Sequence, residues 1–255
     1  MAIDSESRKA IRSLATPKGR RAMGAFLAEG TRCVIDSLPY FELRSLLCTA
    51  AWADEHPDAA RRATIVDRRE IERLSQQQNP QPVLAVFALP EMRPYAYDGS
   101  MALALDAVQD PGNLGTIIRL ADWFGIRDII AGPGTADAFQ PKVVQATMGA
   151  LARVAVHRVD SLADTLRSSG APVIGTFLDG TDLYDAPPSV DPRPIVVMGN
   201  EGNGISAEVA STVTARVRIP SFPPGRATSE SLNVAMASGI IISELSRRIY
   251  GQTTV

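Results

Sequence analysis

"MALALDAVQDPGNLGTIIRLADWFGIRDIIAG", residues 101–132, decides the fold class of this chain. "MALALDAV" is apolar at all but Asp106 and has the length of a strand. Residues 110–125 then read as a helix, because Leu114, Ile117, Ile118, Ala121 and Phe124 recur at the spacing of one helical face. "DIIAG" supplies the next strand. Strand, helix and strand in close succession are the unit from which parallel α/β sheets are built. This helix should be buried, yet it carries Arg119. Helical side chains lean toward the N-terminus, so the Arg119 stem can run back along the helix and deliver its guanidinium to the loop holding Asn113. The competing reading is an arginine reaching solvent from the helix flank.

Working outward, the alternation continues as the helix "PKVVQATMGALA" with Pro141 near its first turn, "VAVHRV", the helix "SLADTLRSS", "PVIGTFL", "PIVVMG", the helix "SAEVASTV" and "RVRIP". A long terminal helix is expected from about Glu230 to Tyr250. Most strands are apolar throughout, which predicts a mostly parallel sheet covered on both faces. Upstream, "PEMRPYAYDGS" (90–100) has no periodicity and reads as a linker. Before it lie a basic helix near Arg8–Leu14, the helical run "GTRCVIDSL", the strand "LRSLLCT", an Ala-rich helix near 51–61 and the strand "ATIV". Asp67 can cap the helix "RREIERLS", and "PVLAVFAL" is a further strand. The chain thus divides into a smaller α/β unit with linker, 1–98, and a larger one, 99–255.

At 255 residues there is length for two cores. No run approaches the ~20 apolar residues of a membrane span, and "MAIDSESRKA" lacks the apolar stretch of a signal peptide, so a soluble cytoplasmic protein without membrane association is expected. Cys33 and Cys48 sit in apolar contexts without metal-ligand spacing, which points to small buried hydrophobes and to no metal site. A net charge of −2 argues against holding nucleic acid by bulk charge alone. Between Ser7 and Ala28, however, Arg8, Lys9, Arg12, Lys18, Arg20 and Arg21 occur with no acidic residue. This is either a local phosphate-binding patch or a solvated helix face.

Ligands of parallel α/β sheets collect at the carboxyl ends of strands, and three loops there are unusual. "QDPGNLG" follows the strand at 101–108. "GNEGNGIS" (199–206) packs three glycines into six residues, which frees backbone amides, but its order is not the dinucleotide spacing G-x-G-x-x-G. "IPSFPPGRATSESLNV" (219–234) leads into the terminal helix, where Ser229 or Ser231 can act as cap while Asn233 stays unexplained by capping.

Together these loops resemble the three motifs of the SpoU/TrmH branch of the SPOUT RNA methyltransferases, in order, over about residues 103–248. "IRSLATPKGRRAMGAFLAEG" also resembles the RNA-binding domain of many members, a fold related to a ribosomal protein. The resemblance implies a C-terminal domain tied in a deep trefoil knot, a rare exception to unknotted topology. It also implies a homodimer, an RNA substrate (ribosomal or transfer RNA), and S-adenosylmethionine as methyl donor to a ribose 2′-hydroxyl. Carried over by motif position, Asn113, Arg119, Glu201, Ser231 and Asn233 are the functional residues. Phe177, Leu178, Gly199, Asn200, Gly202, Ile219, Ser231 and Leu232 are the donor contacts. The chain departs from the family in the ten residues "SFPPGRATSE" between Pro220 and Ser231, longer by a few than usual.

The only histidines, His56 and His157, lie away from the three loops, which argues against a histidine base. A guanidinium holds its proton far too tightly to be a good proton acceptor, so Arg119 is expected to act as an electrostatic partner of the 2′-oxygen and its adjacent phosphate. A sulfonium donor is already activated, so no metal is required. A non-catalytic RNA-binding or ribosome-assembly protein that keeps the fold is the alternative. A nicotinamide oxidoreductase lacks its fingerprint here. The dimer expectation also rests on "NVAMASGIIISELSRRIY", richer in small and apolar residues than one sheet face needs.

Overall fold

The computed structural model describes residues 3–185, 188–226 and 229–251. In chain order the first elements are α1 (Ser5–Ser13), α2 (Pro17–Met23), β1 (Ala25–Glu29), α3 (Thr31–Ser37) and β2 (Leu43–Cys48). They are followed by α4 (Ala50–Glu55), α5 (Pro57–Ala60), β3 (Thr64–Ile65), α6 (Arg68–Leu74) and β4 (Val83–Ala88). Then come β5 (Ala102–Leu105), α7 (Pro111–Trp123), β6 (Asp128–Ala131), α8 (Pro141–Thr147) and, after a 3-10 turn, β7 (Ala155–Arg158). The chain ends with α9 (Leu162–Ser169), β8 (Val173–Asp182), β9 (Ile195–Met198), α10 (Ala207–Ala210), β10 (Ala215–Arg218) and α11 (Val234–Gly251).

Two compact units result, one of residues up to Glu91 together with Asp137–Arg153, the other of Met92–Ala136 and Val154 onward. This differs from a division at 98/99 in two respects. First, the segment around α8 joins the N-terminal unit, because Phe139 packs its ring 5.0 Å from that of Phe26, and Arg20 reaches Asp137 at 2.5 Å. Second, the stretch expected to be a linker belongs to the C-terminal unit. Tyr95 and Tyr97 pack against that unit's core, the Tyr97 hydroxyl donates to the Arg193 carbonyl, and Arg127 pairs with Asp98 at 2.7 Å.

The N-terminal unit has a mixed sheet of order β1-β4-β2-β3, with only β2 and β3 parallel. Strand β1, absent from the sequence-based reading, is fully buried. Its approach is set by α2, which Thr16 caps, Pro17 opens and Gly24 closes in the left-handed conformation. That geometry turns Arg20 inward. It is 2% exposed and donates to the carbonyls of Leu14 and Ala15 as well as to Asp137. Arg20 is therefore a structural ion-pair partner rather than a phosphate contact. Arg8 is likewise held, by the buried Glu70 at 2.5 Å. Lys9, Arg12, Lys18 and Arg21 are exposed and have no hydrogen-bond or ion-pair partner among the described residues. Cys33 and Cys48 are free and buried, and burial pushes both thiols above their ordinary pKa.

The C-terminal sheet is parallel throughout, in the order β10-β8-β9-β5-β6-β7. Its middle strands β5 and β9 are buried at every position, as expected for a sheet covered on both faces. Helix α9 contributes Leu162, Ala163 and Leu166 to the core on one face, and α11 packs along α7. No helix among the described residues is long and apolar enough to cross a membrane.

His157 on β7 straps residues 92–98 to this unit. Its Nε2 faces Asp128 Oδ1 at 2.7 Å and its Nδ1 faces the Arg93 carbonyl at 3.0 Å, while Tyr95 packs edge-on to the ring. Both neighbours are acceptors, so both ring nitrogens must carry protons, and the hydrogen bond to Asp128 is the main cause of a raised imidazole pKa. A raised pKa stabilises the strap below the ordinary histidine value of about 6.5 and loses that contribution as pH climbs through the shifted one. With two histidines in the chain, a magnetic-resonance titration using His56→Gln for assignment should find His157 titrating above 6.5. Amide protection factors in 92–98 should fall over the same range. A His157 that titrates at or below 6.5, with protection constant, would refute the strap.

Candidate active site

Because all six strands run the same way, the loops after β5, β9 and β10 open at one edge. The first is fixed by Asp110, whose Oδ1 accepts the Asn113 amide at 2.8 Å and caps α7, with Pro111 in its first turn. At the end of β5, Ala107 has φ of 56°, a conformation that costs a residue bearing a Cβ about 1–2 kcal/mol. Its carbonyl accepts from Asn200 Nδ2 at 2.8 Å.

The second loop is a closed turn. Asn200 and Gly204 exchange backbone hydrogen bonds of 2.9 Å in both directions, and Asn200 Oδ1 accepts from the amides of Gly202 and Asn203. Gly199 is obligatory there, since a Cβ would lie 2.3 Å from the Gly204 carbonyl carbon. The third loop ends in Asn233, which caps α11. Its Oδ1 accepts from the amides of Ala235 at 3.0 Å and Met236 at 3.3 Å. The terminal helix therefore starts at Val234 rather than near Glu230, and Asn233 rather than Ser229 or Ser231 is its cap. Of the ten residues at 221–230, Ala227 and Thr228 lie outside the described residues.

Three of the sequence-predicted residues meet in one chain of hydrogen bonds. Asn233 Nδ2 donates to Asn113 Oδ1 at 2.9 Å, and Asn113 Nδ2 donates to Glu201 Oε1 at 2.9 Å. Backbone N–H groups only donate and an ionised carboxylate only accepts, so both amides have a single possible orientation. Each hydrogen bond adds about 1 kcal/mol when buried and less here, where all three side chains reach solvent. What the chain supplies is register between three loops that are remote in sequence.

Arg119 is exposed, and among the described residues no carboxylate or carbonyl engages its guanidinium. It stands on the same helix as Asn113, six residues further along. Ser231 is exposed with an unengaged hydroxyl. Phe177 and Leu178 occupy a bulge not foreseen in the sequence: Gly175 pairs with Arg216 and Thr181 with Val217, so residues 176–180 of β8 leave the ladder. The bulge is braced by Arg216, whose guanidinium lies 3.5 Å from the Phe177 ring centroid and 2.7 Å from Asp179. Gly180 permits its return, since a Cβ would sit 2.5 Å from the Val217 carbonyl carbon. Leu178 is 76% and Leu232 50% exposed, and Ile219 is half-buried. Apolar side chains left uncovered beside a tight, amide-rich turn fit a ligand with a flat apolar ring and a polar tail, which is the character of S-adenosylmethionine. No group of three or more metal-ligating side chains occurs among the described residues.

Comparison with known proteins identifies the family. Residues 100–243 match the SpoU rRNA Methylase family. The chain belongs to that family. Residues 6–85 match the MRM3-like substrate binding domain. The chain is 32% identical, over 92% of its length and 93% of the relative's, to the 23S rRNA (guanosine(2553)-2′-O)-methyltransferase RlmP of Bacillus subtilis. Among solved structures, a TrmH-family protein from Porphyromonas gingivalis superposes with a TM-score of 0.86 at 45% identity, covering 97% of this chain and 100% of that one. An AdoMet-bound rRNA methyltransferase from Sinorhizobium meliloti does so with a TM-score of 0.83 at 32% identity, covering 98% and 97%.

Proposed function

We propose that this chain transfers the methyl group of S-adenosylmethionine to a ribose 2′-hydroxyl of ribosomal RNA. The observation that carries the reading is the Asn233–Asn113–Glu201 chain, which joins the three family motifs into one site. The full-length similarity to RlmP supports it. When bound, S-adenosylmethionine supplies a methyl group on an already activated sulfonium. The loop at Gly199, Asn200 and Gly202, with Ile219, Leu232, Ser231 and the Phe177–Leu178 bulge, would hold it.

The protein's contribution is placement and charge. Through its guanidinium, Arg119 would meet the negative charge that develops as the 2′-hydroxyl loses its proton, and it can meet the neighbouring phosphate as well. Asn113 and Asn233 each keep one N–H free of the chain described above, available to fix the ribose. Glu201 and Ser231 complete the polar rim. This full complement favours turnover over a protein that retains the fold for binding alone.

RNA phosphates are assigned to Lys9, Arg12, Lys18 and Arg21, the four cations of the N-terminal run that no other group engages. A ribosomal RNA substrate implies work in the cytoplasm of a bacterial cell. The knot implied by the family resemblance is supported by strand order. β9 lies between β5 and β8, and α11, which follows the edge strand β10, packs on α7. A homodimer is supported by Trp123 on α7, 83% exposed, and Met236 on α11, 63% exposed, an apolar surface on two helices already packed together. Sedimentation equilibrium at micromolar concentration should give a dimer, and a monomer throughout would refute the assignment.

The atom methylated is checked with labelled donor and unmodified 23S rRNA transcript. Methylation at the 2′-oxygen removes the nucleophile of alkaline cleavage, so label should survive hydrolysis in dinucleotides. Label recovered wholly in mononucleotides would mean base methylation and overturn the reading.

A further inference from the structure

Asp106, directly after β5, is a carboxylate only 8% exposed. It has no arginine or lysine partner among the described residues. Burying a carboxylate without a countercharge is unfavourable, so its single strong contact carries meaning. Its Oδ2 accepts the backbone N–H of Ser206 at 2.7 Å. The next residue, Ala107, accepts from the Asn200 side chain at 2.8 Å. Asn200 is where the second motif loop begins, and Ser206 is where it ends and α10 starts. Two consecutive residues directly after β5 therefore grip both ends of the loop that carries Glu201. The backbone of β5 is also tied to that strand's neighbour, since the Asp106 amide donates to the Met198 carbonyl.

We propose that Asp106 is a positioning residue for methyl transfer: by accepting the Ser206 N–H it holds the Gly199–Ser206 loop against the first motif loop, at the height where Glu201 meets Asn113. The inference rests on the reading of this edge as the donor and RNA site. The role requires a hydrogen-bond acceptor at this atom and does not require its negative charge. That distinction makes it testable, because asparagine keeps an acceptor and alanine does not. The donor can be removed separately. Ser206 has φ of −63°, within the range proline requires, so Ser206→Pro deletes the N–H and puts a ring carbon against the Asp106 carboxylate in its place. Ser206→Ala keeps the N–H and removes only the hydroxyl that caps α10.

The test measures S-adenosylmethionine affinity of the full chain by calorimetry, without RNA, together with kcat and the exchange protection of the 199–206 amides in ligand-free protein. Asp106→Ala and Ser206→Pro should each weaken donor binding by ~10-fold and lower kcat, the scale of one lost hydrogen bond to a charged group. Their combination should be no worse than either alone within ~2-fold, as for two ends of one contact. Asp106→Asn and Ser206→Ala should stay within ~3-fold of the parent, half a unit on the logarithmic scale of affinity. The 199–206 amides should lose protection in the first pair of variants and keep it in the second. If Asp106→Asn is as damaging as Asp106→Ala, the charge itself acts and the positioning role is overturned. It is equally overturned if Ser206→Pro leaves affinity intact, a variant that remains informative should Asp106→Ala fail to fold. These ratios in a protein that methylates no RNA would refute the proposed function and leave the anchor standing.

Discussion

Strand β9 pairs between β5 and β8, and everything at the site depends on that placement. The ladder runs from Ala102 opposite Ile195 to Leu105 opposite Met198, all of it buried. Since every neighbour is parallel, strands far apart in sequence end at one edge. Residues 113, 201 and 233, drawn from three separate loops, are joined through Asn113 by two hydrogen bonds. Shifting β9 by one residue would turn its apolar side chains to the opposite faces and displace Glu201 by about one strand step, ~3.3 Å, more than the chain of amides could follow. The hydrophobic register of the sheet thus determines the polar register of the site.

The charges divide by the same logic. Arg20 and Arg8 are consumed by Asp137 and Glu70 inside their own unit, while Arg216 braces the β8 bulge through Asp179 and the Phe177 ring. Arg119, exposed on α7, is left unengaged among the described residues. An exposed cation without a partner contributes little to stability, in keeping with the role proposed for it toward the substrate.

Much of this was legible in the sequence because it follows from local rules. The period of α7 and the apolar runs of β5 and β9 identify the parallel sheet by themselves. Glycines at 199, 202 and 204 mark the tight turn. Other features depend on contacts that no local pattern encodes. Asn233 is left unexplained by a cap at Ser229 or Ser231, and only the helix start at Val234 makes it the cap. "AFLAE" is too short and too close to a basic helix to declare itself as β1. Arg20 has the same neighbours in sequence as Arg21, and the left-handed Gly24 and the distant Asp137 decide which one is buried. The bulge at Phe177 arises from a register shift against β10, forty residues later in the chain. Asp106 offered a faint signal, a single charge inside an apolar strand.

The central claim is that Arg119 acts on the reacting oxygen and has no part in holding the donor. It is tested by Arg119→Ala, comparing S-adenosylmethionine affinity by calorimetry with single-turnover methylation of unmodified 23S rRNA transcript. The account predicts donor affinity unchanged and a rate lower by at least ~100-fold, the scale of one lost electrostatic partner in a transition state. Equal losses in affinity and rate, or a rate that is preserved, would contradict it.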